Sequence, residues 1–105
     1  MTVLDTTPPG TLDPSTTVRL SGEIDIFTSK ALRAQLMDVL DRSQGVLVLD
    51  MSGLVFGDVT GLAVLVGVQR RARQMGITLV LNAPSPRLAT MLRITGLSKR
   101  FLITE

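Results

Sequence analysis

Asp58 and Thr60 are the residues of this 105-residue chain whose types and spacing point most directly to chemistry. They lie in the glycine-punctuated stretch 49–62, which leads from an apolar run into a helical pattern. A carboxylate and a hydroxyl at a helix start sit beside free backbone N–H groups and the positive end of the helix dipole, where an anion or phosphate is favoured. Gly53, Gly57 and Gly61 match neither the phosphate-loop nor the dinucleotide fingerprint, and no lysine follows them. Nucleotide or phosphoryl handling by those routes is set aside. Glu23 and Asp25 form a second carboxylate pair, but no nucleophile, metal-ligand set or oxyanion donor stands near them in the sequence, so they do not form a general acid/base pair. They read as turn carboxylates. The chain has no cysteine and no histidine, which closes disulfide scaffolds, thiolate nucleophiles, Ser-His-Asp triads and the common zinc sites. The expectation is a protein that is not an enzyme, with no catalytic residue, metal or cofactor. The plain role for Thr60 is a helix N-cap, worth about 0.5–2 kcal/mol, which Asp58 can share.

The elements that must position these residues follow from periodicity. Residues 17–21 alternate in polarity, as a half-buried strand does. Residues 29–42 place Leu32, Leu36, Val39 and Leu40 at helical spacing. The continuous apolar run 46–49 reads as a buried strand that ends at Asp50-Met51-Ser52-Gly53. A second helix over 62–75 aligns Leu62, Leu65, Gln69, Ala72 and Met75, with Gly76 suited to the left-handed position after its end. Arg70, Arg71 and Arg73 match the negative end of its dipole. Residues 77–81 form another strand. Ser85 and Pro86 supply a cap and a first-turn proline for a third helix, whose Leu88, Met91, Leu92 and Thr95 face inward and which Gly96 ends. Residues 101–103 are a last short strand. This alternation implies an α/β domain with substantially parallel pairing. Residues 1–16 hold three prolines and read as an irregular arm with at most one short edge strand, and 17–105 as the domain.

One domain is what this length allows. At 45% hydrophobic and 19% charged, the chain is too apolar for a disordered tail. The net charge of +2 hides an asymmetry. Residues 1–58 carry four basic and eight acidic side chains, and 59–105 carry seven basic and one acidic. With three Phe and no Trp or Tyr there is little surface for stacking bases, so direct nucleic-acid binding is not expected. No apolar run approaches the roughly 20 residues of a membrane span, and no secretory signal is visible. A cytoplasmic protein without membrane insertion is expected.

Four landmarks occur in order: Ser21-Gly22-Glu23-Ile24-Asp25, Leu49-Asp50-Met51-Ser52-Gly53, Phe56-Gly57-Asp58-Val59-Thr60-Gly61-Leu62, and Pro84-Ser85-Pro86 followed by Leu92-Arg93-Ile94-Thr95-Gly96-Leu97. Over residues 18–103 the chain resembles the STAS family, the anti-sigma factor antagonists. The resemblance implies a small, mixed, mostly parallel sheet with helices mainly on one face. It implies a bacterial partner-switching regulator that binds a serine-kinase-like anti-sigma factor and so releases a sigma factor. The alternative within the fold is an accessory subunit of a membrane phospholipid transporter. The residues it marks for partner binding are Glu23, Asp25, Asp58, Val59, Thr60 and Gly61. The family's phosphate acceptor follows the Asp directly, and here that residue is Val59, which leaves Thr60 as the nearby hydroxyl that phosphate could reach. Val64, read together with Gly67 and Arg71 as a stripe on the solvent side of the second helix, is expected to add an exposed apolar patch to that surface.

Overall fold

The computed structural model describes residues 3–7, 15–56 and 58–105. Strand β1 (Val3–Thr7) pairs antiparallel with β2 (Ser15–Ile24). Helix α1 (Ser29–Asp41), strand β3 (Val46–Phe56), helix α2 (Thr60–Gln74), strand β4 (Thr78–Asn82), helix α3 (Pro86–Ile94), a 3-10 turn (Leu97–Arg100) and strand β5 (Leu102–Thr104) follow. The sheet order is β1-β2-β3-β4-β5, and β2 to β5 are parallel. Each strand-helix-strand unit moves the chain one place along the sheet in the same sense. Right-handed crossovers therefore put all three helices on one face. Burial agrees: Leu47 and Leu49 are fully covered, whereas Val46, Val48 and Asp50, which alternate with them, are only half-buried. A short edge strand thus lies in the stretch 1–16 read as the N-terminal arm, Ser15 and Thr16 of that stretch already belong to β2, and residues 1–2 and 8–14 lie outside the described residues.

The core joins Val18, Leu20 and Ile24 of β2 with leucines of β3 and β4 and with Leu36, Leu65 and Leu92 from the three helices. Each such side chain taken fully out of water contributes about 1.5–3 kcal/mol. Ser85 caps α3 as expected, its Oγ accepting the Leu88 N–H at 3.1 Å. Gly76 and Gly96 take the left-handed conformation past α2 and α3, with φ of 71° and 77°. Thr95 is exposed rather than inward, its hydroxyl bonded back to the Met91 carbonyl at 2.7 Å, because α3 buries only Leu88 and Leu92 fully.

Strand β3 does not stop at residue 49. It runs on to Phe56 through a bulge: Arg19 faces Asp50 but Ser21 faces Gly53, so β3 carries one extra residue there. The bulge moves the buried set from Leu49 and Met51 to Leu54 and Phe56, which keeps the inner face apolar up to the turn into α2. The longer partner strand β2 includes Glu23, so that residue belongs to a strand, opposite Val55, and not to the following turn.

Candidate partner-binding surface

The carboxyl ends of β2 and β3 lie side by side, with Ile24 opposite Phe56, so the β2–α1 and β3–α2 turns meet above the sheet. Asp25 organises the first turn. Its Oδ1 accepts the Phe27 N–H at 2.8 Å and the Thr28 N–H at 3.1 Å, and its carbonyl accepts the Ser29 N–H at 2.9 Å. Thr28 Oγ1 in turn accepts the Asp25 N–H at 3.0 Å. This reciprocal arrangement satisfies the Phe27, Thr28 and Ser29 N–H groups that lead into α1.

Asp58 organises the second turn and ties it to the first. Its Oδ1 accepts the Thr60 N–H at 2.9 Å and the Thr60 hydroxyl, and its Oδ2 accepts the Ile26 N–H at 3.3 Å. These bonds hold its carboxyl below the usual carboxylate range, the Thr60 hydroxyl contributing most, then the Thr60 N–H, then the Ile26 N–H. Val59 is the N-cap residue of α2 and makes no side-chain cap bond, and the carboxylate of Asp58, one residue earlier, takes the Thr60 N–H. Thr60 is the first residue of the helix and its hydroxyl donates to the Asp58 carboxylate, so Thr60 is not the N-cap it was expected to be. Gly61 is buried because α2 starts hard against the sheet. A Cβ on it would stand 2.6 Å from Phe56 Cε2 and 3.0 Å from Ile24 Cγ2.

The backbone geometry pushes apolar side chains outward. Phe27 is 89% exposed, Val59 69% and Ile26 64%, all on the two joined turns. Sequence reasoning missed Ile26 and Phe27. The available signal was a pair of bulky apolar residues between a strand and a helix, fitting the periodicity of neither. Beside the turns runs a groove between α1 and α2 of about 380 Å³, lined by Ser29, Lys30, Arg33, Thr60, Ala63, Val64 and Gly67.

Val64 departs from expectation. It is 6% exposed, within the buried stripe Gly61, Val64, Leu65, Val68 and Ala72. The flank of α2 taken to face solvent packs on α1 instead, where Gly67 lies 3.7 Å from Arg33 Nε by its would-be Cβ and Arg71 reaches Asp41 at 3.8 Å. Of the marked residues, Asp25, Asp58, Val59, Thr60 and Gly61 gather at the two turns. Glu23 stands one residue back on β2, its carbonyl accepting the Thr28 hydroxyl at 3.2 Å. Among the described residues no cluster of acidic side chains could hold a metal ion, and no helix is long and apolar enough to cross a membrane.

Comparison with known proteins places this geometry. The family model described as "Mlab, STAS domain" matches residues 10–104. The chain is 35% identical over 80 residues to the anti-sigma-B factor antagonist of Listeria monocytogenes, covering 75% of this chain and 69% of the relative. It is 35% identical over 83 residues to the anti-sigma F factor antagonist of Paenibacillus polymyxa, covering 78% and 71%. The crystal structure of an anti-sigma factor antagonist from Mycobacterium paratuberculosis superposes with a TM-score of 0.75 at 28% identity, over 99% of this chain and 86% of the other. With the sheet order, the joined turns and these matches in agreement, the chain belongs to the STAS domain family of anti-sigma factor antagonists.

Proposed function

We propose that the two joined turns bind an anti-sigma factor of the serine-kinase type, and that this binding releases a sigma factor. The observation that carries the reading is the exposure of Ile26, Phe27 and Val59 around the Asp58 tie. Three bulky apolar side chains left in water on a hydrogen-bonded frame are the make-up of an interface core, with Asp25, Asp58 and Glu23 as an acidic surround. The neighbouring α1–α2 groove, with Lys30 and Arg33 on its wall, extends the contact area.

Val59 at the family's acceptor position makes this surface binding-competent without the usual phosphate switch. The Thr60 hydroxyl is engaged by Asp58, and a phosphate there would set about −1.5 to −2 charges against that carboxylate. Thr60 accordingly serves the frame and is not a phosphorylation site. Incubation with the cognate kinase and ATP, followed by mass spectrometry, should leave residues 58–62 unmodified; phosphate mapped to Thr60 would restore the switch. Affinity capture from the native cell should recover an anti-sigma kinase. Recovery of a transporter ATPase subunit in its place would make the domain a transporter accessory.

A further inference from the structure

We propose a second docking site at the other end of the sheet, where the C-terminal half of α2 meets the 3-10 turn and the start of β5, whose occupant is an extended acidic peptide segment bearing an apolar side chain. Two cavities of about 270 and 530 Å³ share Gln69, Arg73, Arg100 and Phe101 in their walls, so they adjoin, and together they make up the groove of this proposal. Val66, Leu97 and Phe101 make its apolar part. Arg70, Arg73, Lys99 and Arg100 line it, no carboxylate does, and none of the four is in an ion pair among the described residues. Four like charges around one concavity raise its potential and attract an acidic occupant.

Gln69 ties α2 to the 3-10 turn at this site. Its Nε2 donates to the Arg100 carbonyl at 2.6 Å, which fixes the orientation of the amide because a carbonyl only accepts. Its Oε1 is then buried with no donor in reach among the described residues. A peptide brings a carboxylate for the arginines and an apolar side chain for Val66 and Leu97. A compact inorganic anion brings only the charge. The site is separate from the joined turns. Thr60 and Arg73 are at opposite ends of α2, about 20 Å apart at 1.5 Å per residue.

The test uses the full chain at about 0.15 M salt, where surface attraction beyond roughly 8 Å is screened. Its probes are the peptide acetyl-Asp-Glu-Leu-Asp-Glu-Leu-amide, the same peptide with lysine in place of the acids, inorganic phosphate, and a short single-stranded RNA. Amide NMR should show saturable shifts of the Gln69 side chain, Val66, Leu97 and Phe101 with the acidic peptide, while Ile26 and Thr60 stay in place. Arg73→Ala combined with Arg100→Ala should weaken binding at least tenfold, and Lys99→Glu, an exposed change off the helix, should weaken it several-fold. Each of the following would overturn the proposal: no saturable shift at Gln69, equal binding of the basic peptide, tighter binding of phosphate or RNA, or unaltered affinity in a folded variant.

Discussion

Asp58 satisfies three donors with two oxygens, two from Thr60 and one from Ile26 on a different turn, and the carboxylate form makes all three bonds. Its proton affinity is lowered in the folded chain. The stabilisation that follows is present above the unfolded-state pKa of about 3.9 and disappears as pH falls through the lower folded value. An NMR titration should give the Thr60 and Ile26 amides a common midpoint below 3.8, the ordinary aspartate value. A midpoint at or above it would mean that the tie does not operate in solution. Gly61 makes the complementary case for shape. Gly61→Ala drives a methyl into the buried Phe56 ring and should cost about 1–3 kcal/mol, visible as a lower Tm; an unchanged Tm would show that the ring moves aside freely.

Among elements, α2 shows where pattern reading succeeds and where it fails. Its terminal Gly76 and its arginine-rich last turns were legible because C-caps and dipole-matched charges are local, while its start lies at Thr60, two residues before the 62–75 expected. Its orientation about its own axis was not, since that depends on α1, a neighbour in space that periodicity does not name. Val64 therefore moved from the solvent side to the seam with α1, and the fold-neutral Val64→Asp expected from an exposed patch gives way to its opposite. A carboxylate at this buried position, with Lys30 and Arg33 on the same groove wall, should destabilise by up to about 3 kcal/mol, and denaturant unfolding should show the loss; an unchanged stability in Val64→Asp would return the residue to the surface. Strand β3 was cut short for a related reason. Asp50 and Gly53 carry turn signals, but the bulge absorbs them, and Leu54 and Phe56 continue the inner face. The structure brings the landmark residues Asp25, Asp58, Val59 and Thr60 to one end of the sheet, because the turns after the adjacent parallel strands β2 and β3 meet there. Ile26 and Phe27 stayed hidden because exposure of an apolar side chain is a property of the folded turn.

At the scale of the molecule, the division of charge along the chain becomes in part a division in space, with Lys30 and Arg33 beside the acidic end and Asp41 paired with Arg71 as exceptions. Glu23, Asp25 and Asp58 gather where β2 and β3 end, and Arg70, Arg73, Lys99 and Arg100 gather where β4 and β5 begin. The helices share one face of the sheet, and the two turns at its acidic end present Ile26, Phe27 and Val59 to solvent. The central claim is that this end recognises the anti-sigma factor. Phe27→Asp tests it most directly, because the side chain is 89% exposed and only its backbone N–H serves the frame. Calorimetric titration of the variant against the cognate anti-sigma factor should show affinity reduced at least tenfold, about 1.4 kcal/mol, with Tm unchanged. Wild-type affinity in the folded variant would contradict the account.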